Sequence, residues 1–137
     1  MKKQIVRVVA IIVILCFMLS TLAFASMDSS AYIGYMSAYI TRSGNDVNVY
    51  FSIVGRGMMN EIGASEIYLY EQNGNTWSLV KTFLASNPNY TADMLSYNTT
   101  AKADHVTYCG SANKNYSAIL YFYAANDNGS DTIQYIT

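Results

Sequence analysis

Apolar and polar residues alternate with a period of two along most of the chain, and the alternation breaks at clusters of Asn, Asp, Gly and Ser. That pattern predicts half-buried strands joined by tight turns. The strongest instance is residues 116–137, where an alternating run breaks at Asn-Asp-Asn-Gly-Ser-Asp and then resumes, the signature of a hairpin. Segment 47–55 is the cleanest strand: Val47, Val49, Phe51 and Ile53 share one face, and Asn48, Tyr50 and Ser52 the other. Segments 31–41, 66–71, 77–83 and 105–109 read as further strands, for seven in all. Within 66–71, Ile67 and Leu69 point inward and Tyr68 and Tyr70 outward; Asn73-Gly74 supplies the turn that follows.

Two stretches fit this scheme less directly. Segment 55–65 (GRGMMNEIGAS) carries two early glycines and a short apolar insert, and it reads as a loop or single helical turn closing one end of the core. Segment 84–104 is too long for an irregular connection in a compact domain. A helical turn or short edge strand is expected within 91–97, pinned by Tyr90, Met94, Leu95 or Tyr97.

The N-terminus has a different character. Lys2, Lys3 and Arg7 precede an unbroken apolar run over 8–19, and Ser20 and Thr21 then lead to Ala23-Phe24-Ala25. This is the pattern of a secretory signal peptide over 1–25, cleaved between Ala25 and Ser26, with the small residues Ala23 and Ala25 at the cleavage site. The run is shorter than a membrane-spanning helix of about 20 residues, so contact with the membrane is expected only during export. Residues 26–137 would then form a single secreted domain, at the cell surface or outside it.

Removal of the leader changes the charge. The remaining chain keeps Arg42, Arg56, Lys81, Lys102 and Lys114 against all nine acidic residues, and it has no basic patch for phosphate backbones. Nucleic acid is therefore not an expected partner. Cys16 departs with the leader, which leaves Cys109 without an intrachain partner; burial as a small hydrophobe is the expectation for it. All thirteen tyrosines lie beyond the cleavage site.

Seven short antiparallel strands with regular turn signals predict an all-β sandwich of immunoglobulin type. The run VTYCGSANKNYSAILYFYAANDNGSD over 106–131 resembles the penultimate strands of a fibronectin type III domain. The resemblance implies that Tyr116 is the corner tyrosine, that Asn126 and Gly129 form the turn, and that the strands divide into an A-B-E sheet and a G-F-C-C′ sheet. The chain departs from that family in a longer interval between Tyr116 and Asn126 and in lacking a tryptophan on its second strand. Residues 58–71, WSLVK at 77–81 and YFYAANDNGSD at 121–131 also resemble a family of short exported bacterial proteins without assigned function.

Candidate chemistry is thin. His105 is the one histidine, and its nearest possible nucleophile, Cys109, lies four residues along a strand, about 13 Å away. The carboxylates are scattered singly at turns, and no serine sits in a nucleophile elbow. Neither an enzyme nor a cofactor is expected. The Asp127–Asp131 run offers oxygen donors at alternate positions, but it lacks the closing bidentate Glu of a calcium loop and reads as a turn; no metal is expected there.

The usable feature is aromatic. Strands 66–71 and 116–126, if adjacent, would bring Tyr68, Tyr70, Tyr121 and Tyr123 onto one solvent face, suited to stacking on sugar rings or docking a protein. The expected function is a secreted, non-catalytic binding domain, with glycan or cell-envelope material as the leading ligand class. The alternatives are a secreted antagonistic or signalling protein acting on other cells, and a surface structural subunit that self-assembles through edge strands.

Overall fold

The structure, a computed structural model, describes residues 30–137. The expected signal peptide, with Ala23, Ala25 and Ser26, lies outside the described residues. The chain folds as β1 (Ile33–Ser43), β2 (Asp46–Asn73), β3 (Thr76–Leu84), α1 (Thr91–Met94), β4 (Leu95–Cys109), β5 (Tyr116–Asn126) and β6 (Gly129–Ile136). All strand pairings are antiparallel and belong to one curled sheet.

The described strands number six rather than seven, because two expected strands are one. β2 runs unbroken for 28 residues, through the segment expected to form a loop. Its first half pairs with β1 on one side and with β4 on the other. Its second half pairs with β5, which carries β6 outside it, and with β3. The bend between the halves is a wide irregularity: Val54 pairs with Ala101, but the next β2 residue facing β4 is Met59, opposite Thr99. Met59 and Ile62 are buried at the bend. Their burial stabilises the fold by about 3–6 kcal/mol, against roughly 1 kcal/mol forgone with each skipped ladder bond. The apolar insert thus closes the core, as its composition implies, while remaining strand.

Glycine makes this bend possible. Gly63 has φ +157°, and a Cβ there would lie 2.0 Å from the Met94 carbonyl oxygen. Only a residue without a side chain lets α1 and the start of β4 close over the bend. Side-chain bonds hold the same region from outside. Arg56 Nε donates to the Ser30 carbonyl (2.9 Å), and Asn60 Nδ2 donates to Asp127 Oδ1 (2.6 Å).

The core follows the alternation. Val47, Val49, Phe51 and Ile53 from the first half of β2 are buried in one cluster with Ile67, Leu69, Ala118, Leu120 and Phe122 from the other half of the sheet. Phe51 meets Phe122 edge to face at 6.3 Å between ring centroids, so the two halves share this interior. Segment 84–104 resolves into turns, the single helical turn α1 and the first ten residues of β4. Met94 and Leu95 pin it in the core, Tyr90 packs edge to face on Phe83, and Tyr97 stays exposed. β4 is therefore three times the length expected from 105–109, since its polar outer residues hide it from an apolar count.

A second fixed point is the entry to β5. The Tyr116 hydroxyl accepts from the Ser111 backbone N–H (2.7 Å) and donates to Glu71 Oε2 (2.8 Å). A Cβ on Gly110 would lie 2.4 Å from that hydroxyl, so a glycine is needed for the close approach. Burial, then the Glu71 carboxylate, hold the Tyr116 phenol above its ordinary 10.0, against the lowering effect of the Ser111 N–H.

Gly63→Ala places a Cβ against backbone and should cost about 3 kcal/mol or more. Gly57→Ala, at φ +142° but with open space around it, should cost about 1–2 kcal/mol. Urea unfolding of the two variants, compared at constant m-value, checks the difference.

Candidate functional site

The four predicted tyrosines do share one outer face. Tyr68 and Tyr70 on β2, and Tyr121 and Tyr123 on β5, are all half-buried, while the intervening Ile67, Leu69, Leu120 and Phe122 are buried beneath them. Directly opposed residues share a face, and the register is Glu66 with Tyr121, Tyr68 with Ile119, Tyr70 with Ser117 and Gly63 with Tyr123. Tyr68 and Tyr121 meet edge to face at 6.0 Å. The Tyr68 hydroxyl donates to Glu66 Oε2, and that bond holds the phenol above its ordinary 10.0. Tyr70 and Tyr123 stand at opposite ends of the row.

The face is larger than four tyrosines. Strict alternation along β3 would put Trp77, Leu79, Lys81 and Phe83 on one side. A bulge breaks it: Tyr70 pairs with Leu79, but Leu69 pairs with Lys81. Phe83 consequently points into the core at 1% exposure, while Trp77 and Leu79 point out at 48% and 51%. Ile136 on β6, opposite Ile119, adds a further exposed apolar side chain at 65%. The face thus crosses four strands. At the Tyr123 end it opens into a cleft of about 460 Å³ lined by Tyr123, Tyr97, Leu84, Glu61 and Glu66.

A different aromatic arrangement lies on the outer face of the other half. Tyr39, Tyr50 and His105 are direct cross-strand partners on β1, β2 and β4. Tyr39 stacks on Tyr50 at 5.1 Å and 8°, and Tyr50 on His105 at 4.9 Å and 23°. These rings stand face to face, so Tyr50 is covered on both sides and only the two end rings keep a free face. The Tyr39–Tyr50 contact was available in the sequence: both residues lie the same distance from the Gly44-Asn45 turn. The His105 contact depends on the long-range β2–β4 register and carries no local signal.

His105 borders a second cleft, of about 320 Å³, between β4 and the α1 segment. Phe83, Tyr90 and Val106 form its apolar side, and Asn89, Asp93, Asp104 and Thr107 its polar side. Lys102 builds this cleft. Its ammonium, on a side chain only 10% exposed, donates to the Ala92 carbonyl and to Asp104 Oδ2, both at 2.9 Å, tying α1 to β4. Partial burial pushes the Asp104 carboxyl up. The Lys102 ammonium and the His105 backbone N–H outweigh that, and its pKa lies below the ordinary 3.8.

Other expected features lie apart from these sites. Cys109 is exposed, contrary to expectation, because it falls on the outward side of β4 with His105 and Thr107. In the 127–131 turn, Asp127 accepts from Asn60 and Asp131 accepts from Ser30 Oγ (2.6 Å), so these two carboxylates brace neighbouring segments. Among the described residues no group of three or more His, Cys, Asp or Glu is placed to hold a metal ion. No protein-family model matches the chain, and neither the curated proteins nor the solved structures give a significant match.

The lowered Asp104 pKa sets a sign. The folded carboxyl titrates below its unfolded value, so its contribution is fully present above about pH 3.8 and is lost as pH falls through the lower folded value. Asp104→Asn should therefore lower stability at pH 7 by roughly 1 kcal/mol or less and flatten the loss of stability below pH 4. Urea midpoints of both proteins between pH 2 and 7 check this.

Proposed function

We propose that the chain is an exported, non-catalytic binding module of immunoglobulin- or fibronectin type III-like sandwich form, and that it takes cell-envelope glycan on the face of Tyr68, Tyr70, Tyr121 and Tyr123. Two observations support the sandwich. β1, the first half of β2 and β4 pair side by side in the order of an A-B-E sheet. β3, the second half of β2, β5 and β6 pair in the order C′-C-F-G, and Tyr116 has the corner geometry at the entry to the F-like strand. The signal-like leader and the acidic remainder support export and argue against a nucleic-acid partner.

The observation that carries the ligand class is the composition of the outer face. Trp77, Tyr70, Tyr68 and Tyr121 lie on three adjacent strands, and Glu66, the charged member of these rows among the described residues, is engaged by the Tyr68 hydroxyl. An aromatic, nearly uncharged surface suits the C–H faces of sugar rings, which pack on the faces of aromatic side chains. The cleft beside Tyr123 supplies carboxylates for hydroxyl groups at the end of such a row.

Trp77 is the one tryptophan in the chain, so its emission reports directly on this face. Glycan arrays and peptidoglycan pull-down should identify a bound polysaccharide, and its addition should quench or blue-shift the Trp77 emission. Tyr68→Ala, Tyr121→Ala and Tyr123→Ala should each weaken retention about tenfold. Binding that ignores these changes, or no binding, contradicts the proposal.

A further inference from the structure

We infer that the cleft beside His105 is a second, separate binding site, and that it takes one neutral pyranose unit. It is independent of the Tyr68 face, which lies on the other half of the sheet.

The shape of the site comes from the Tyr39–Tyr50–His105 ladder. Tyr50 covers one face of the imidazole. Residues 101–109 of β4 pair with β2 alone, so among the described residues no strand covers the side away from Tyr50. The imidazole's other face is left to the cleft that His105 lines, and its side chain is 44% exposed. Phe83 and Tyr90, edge to face at 5.3 Å, close the apolar side. A planar ring on one wall and apolar rings on another fit a ligand with C–H faces. The volume, about 320 Å³, falls at the lower end of small-ligand sites.

The polar side selects hydroxyl groups. Asp93 and Asp104 are acceptors in their ionised form, the Asn89 amide offers both donor and acceptor, and Thr107 already donates to Asn48 Oδ1 (2.7 Å), which leaves its oxygen as an acceptor. Acceptors predominate, so a complementary ligand presents several O–H donors.

The charges around the cleft cancel. Asp104 is matched by Lys102 at 2.9 Å. The Lys81 ammonium lies over the Phe83 and Tyr90 rings, 5.6 and 5.8 Å from their centroids, and so brings a second cation to the apolar wall, equal in number to the two carboxylates of the cleft. Neither an anionic nor a cationic ligand gains from such a site. A cyclic, uncharged polyol does.

The Lys102 bond to the Ala92 carbonyl holds α1, and with it Asp93, across from β4. The site is thus assembled before a ligand arrives, which lowers the ordering cost of binding.

The test is an amide NMR titration of the chain with glucose, galactose, mannose and N-acetylglucosamine, run beside linear oligosaccharides of each. The expected result is saturable shifts at Asn89, Asp93, His105 and Thr107. A response to the free sugars marks a single-unit site, and a response to the oligosaccharides alone marks a unit within a chain; both support the inference. His105→Ala and Asp93→Asn should each weaken binding at least tenfold, and His105→Phe should restore most of the loss through its ring. Asp93 is exposed on α1, so its variant reports on binding even if His105→Ala disturbs the ladder. No shifts with any sugar, shifts confined to the Tyr68 face, or binding that survives both His105→Ala and Asp93→Asn would overturn it.

Discussion

Every strand but β6 is hydrogen-bonded to β2, so the fold depends on that strand continuing through its own bend. A strand of 28 residues cannot remain straight in a domain this small. It turns where β2 skips four residues against β4 and where Gly63 lets the Met94 carbonyl approach. The consequence is that both halves of the sheet inherit their inward and outward faces from one alternation. Val47 to Ile53 and Ile67 to Leu69 supply the interior. The residues that alternate with them within each half face outward.

Two aromatic surfaces result, with different physics. On the β1–β2–β4 half, rings at directly opposed positions stack on each other and spend their faces internally, so only the ends of the ladder remain free. On the β3–β2–β5–β6 half, rings meet edge to face or are interleaved with Ile119, Leu79 and Ile136, leaving a broad and partly apolar surface. The first arrangement suits one ring held at an edge, the second an extended ligand laid across strands. Lys102, nearly buried and tied to both α1 and Asp104, connects the first surface to the packing of the bend through Met94.

Much of this was legible from pattern. Period-two alternation correctly assigned the inward and outward residues of 47–53 and 67–70, and the outward parity of Tyr121 and Tyr123 joins them to Tyr68 and Tyr70 because the two strands are adjacent. Alternation gives no guide where a backbone irregularity intervenes. The bulge near Leu79 turns Trp77 and Leu79 outward, although they alternate in phase with the buried Phe83. Gly55 and Gly57 read as a break in a strand, because local propensity cannot register that buried Met59 and Ile62 make continuation favourable. The extent of β4 and the partner of His105 depend on long-range register, which leaves no mark on neighbouring residues. Cys109 was misjudged for a simpler reason: its apolar character suggested burial, whereas its parity with His105 and Thr107 decides the side.

The continuity of β2 is tested most directly by native-state hydrogen exchange, read residue by residue at low denaturant. If one strand ties the two halves together, protected amides near Val49 and Ile53 and those near Ile67 and Leu69 should open with the same free energy, equal to that of global unfolding, and protection should extend through 59–63. Separate opening free energies for the two halves, or exchange at loop rates across 59–63, would contradict the account.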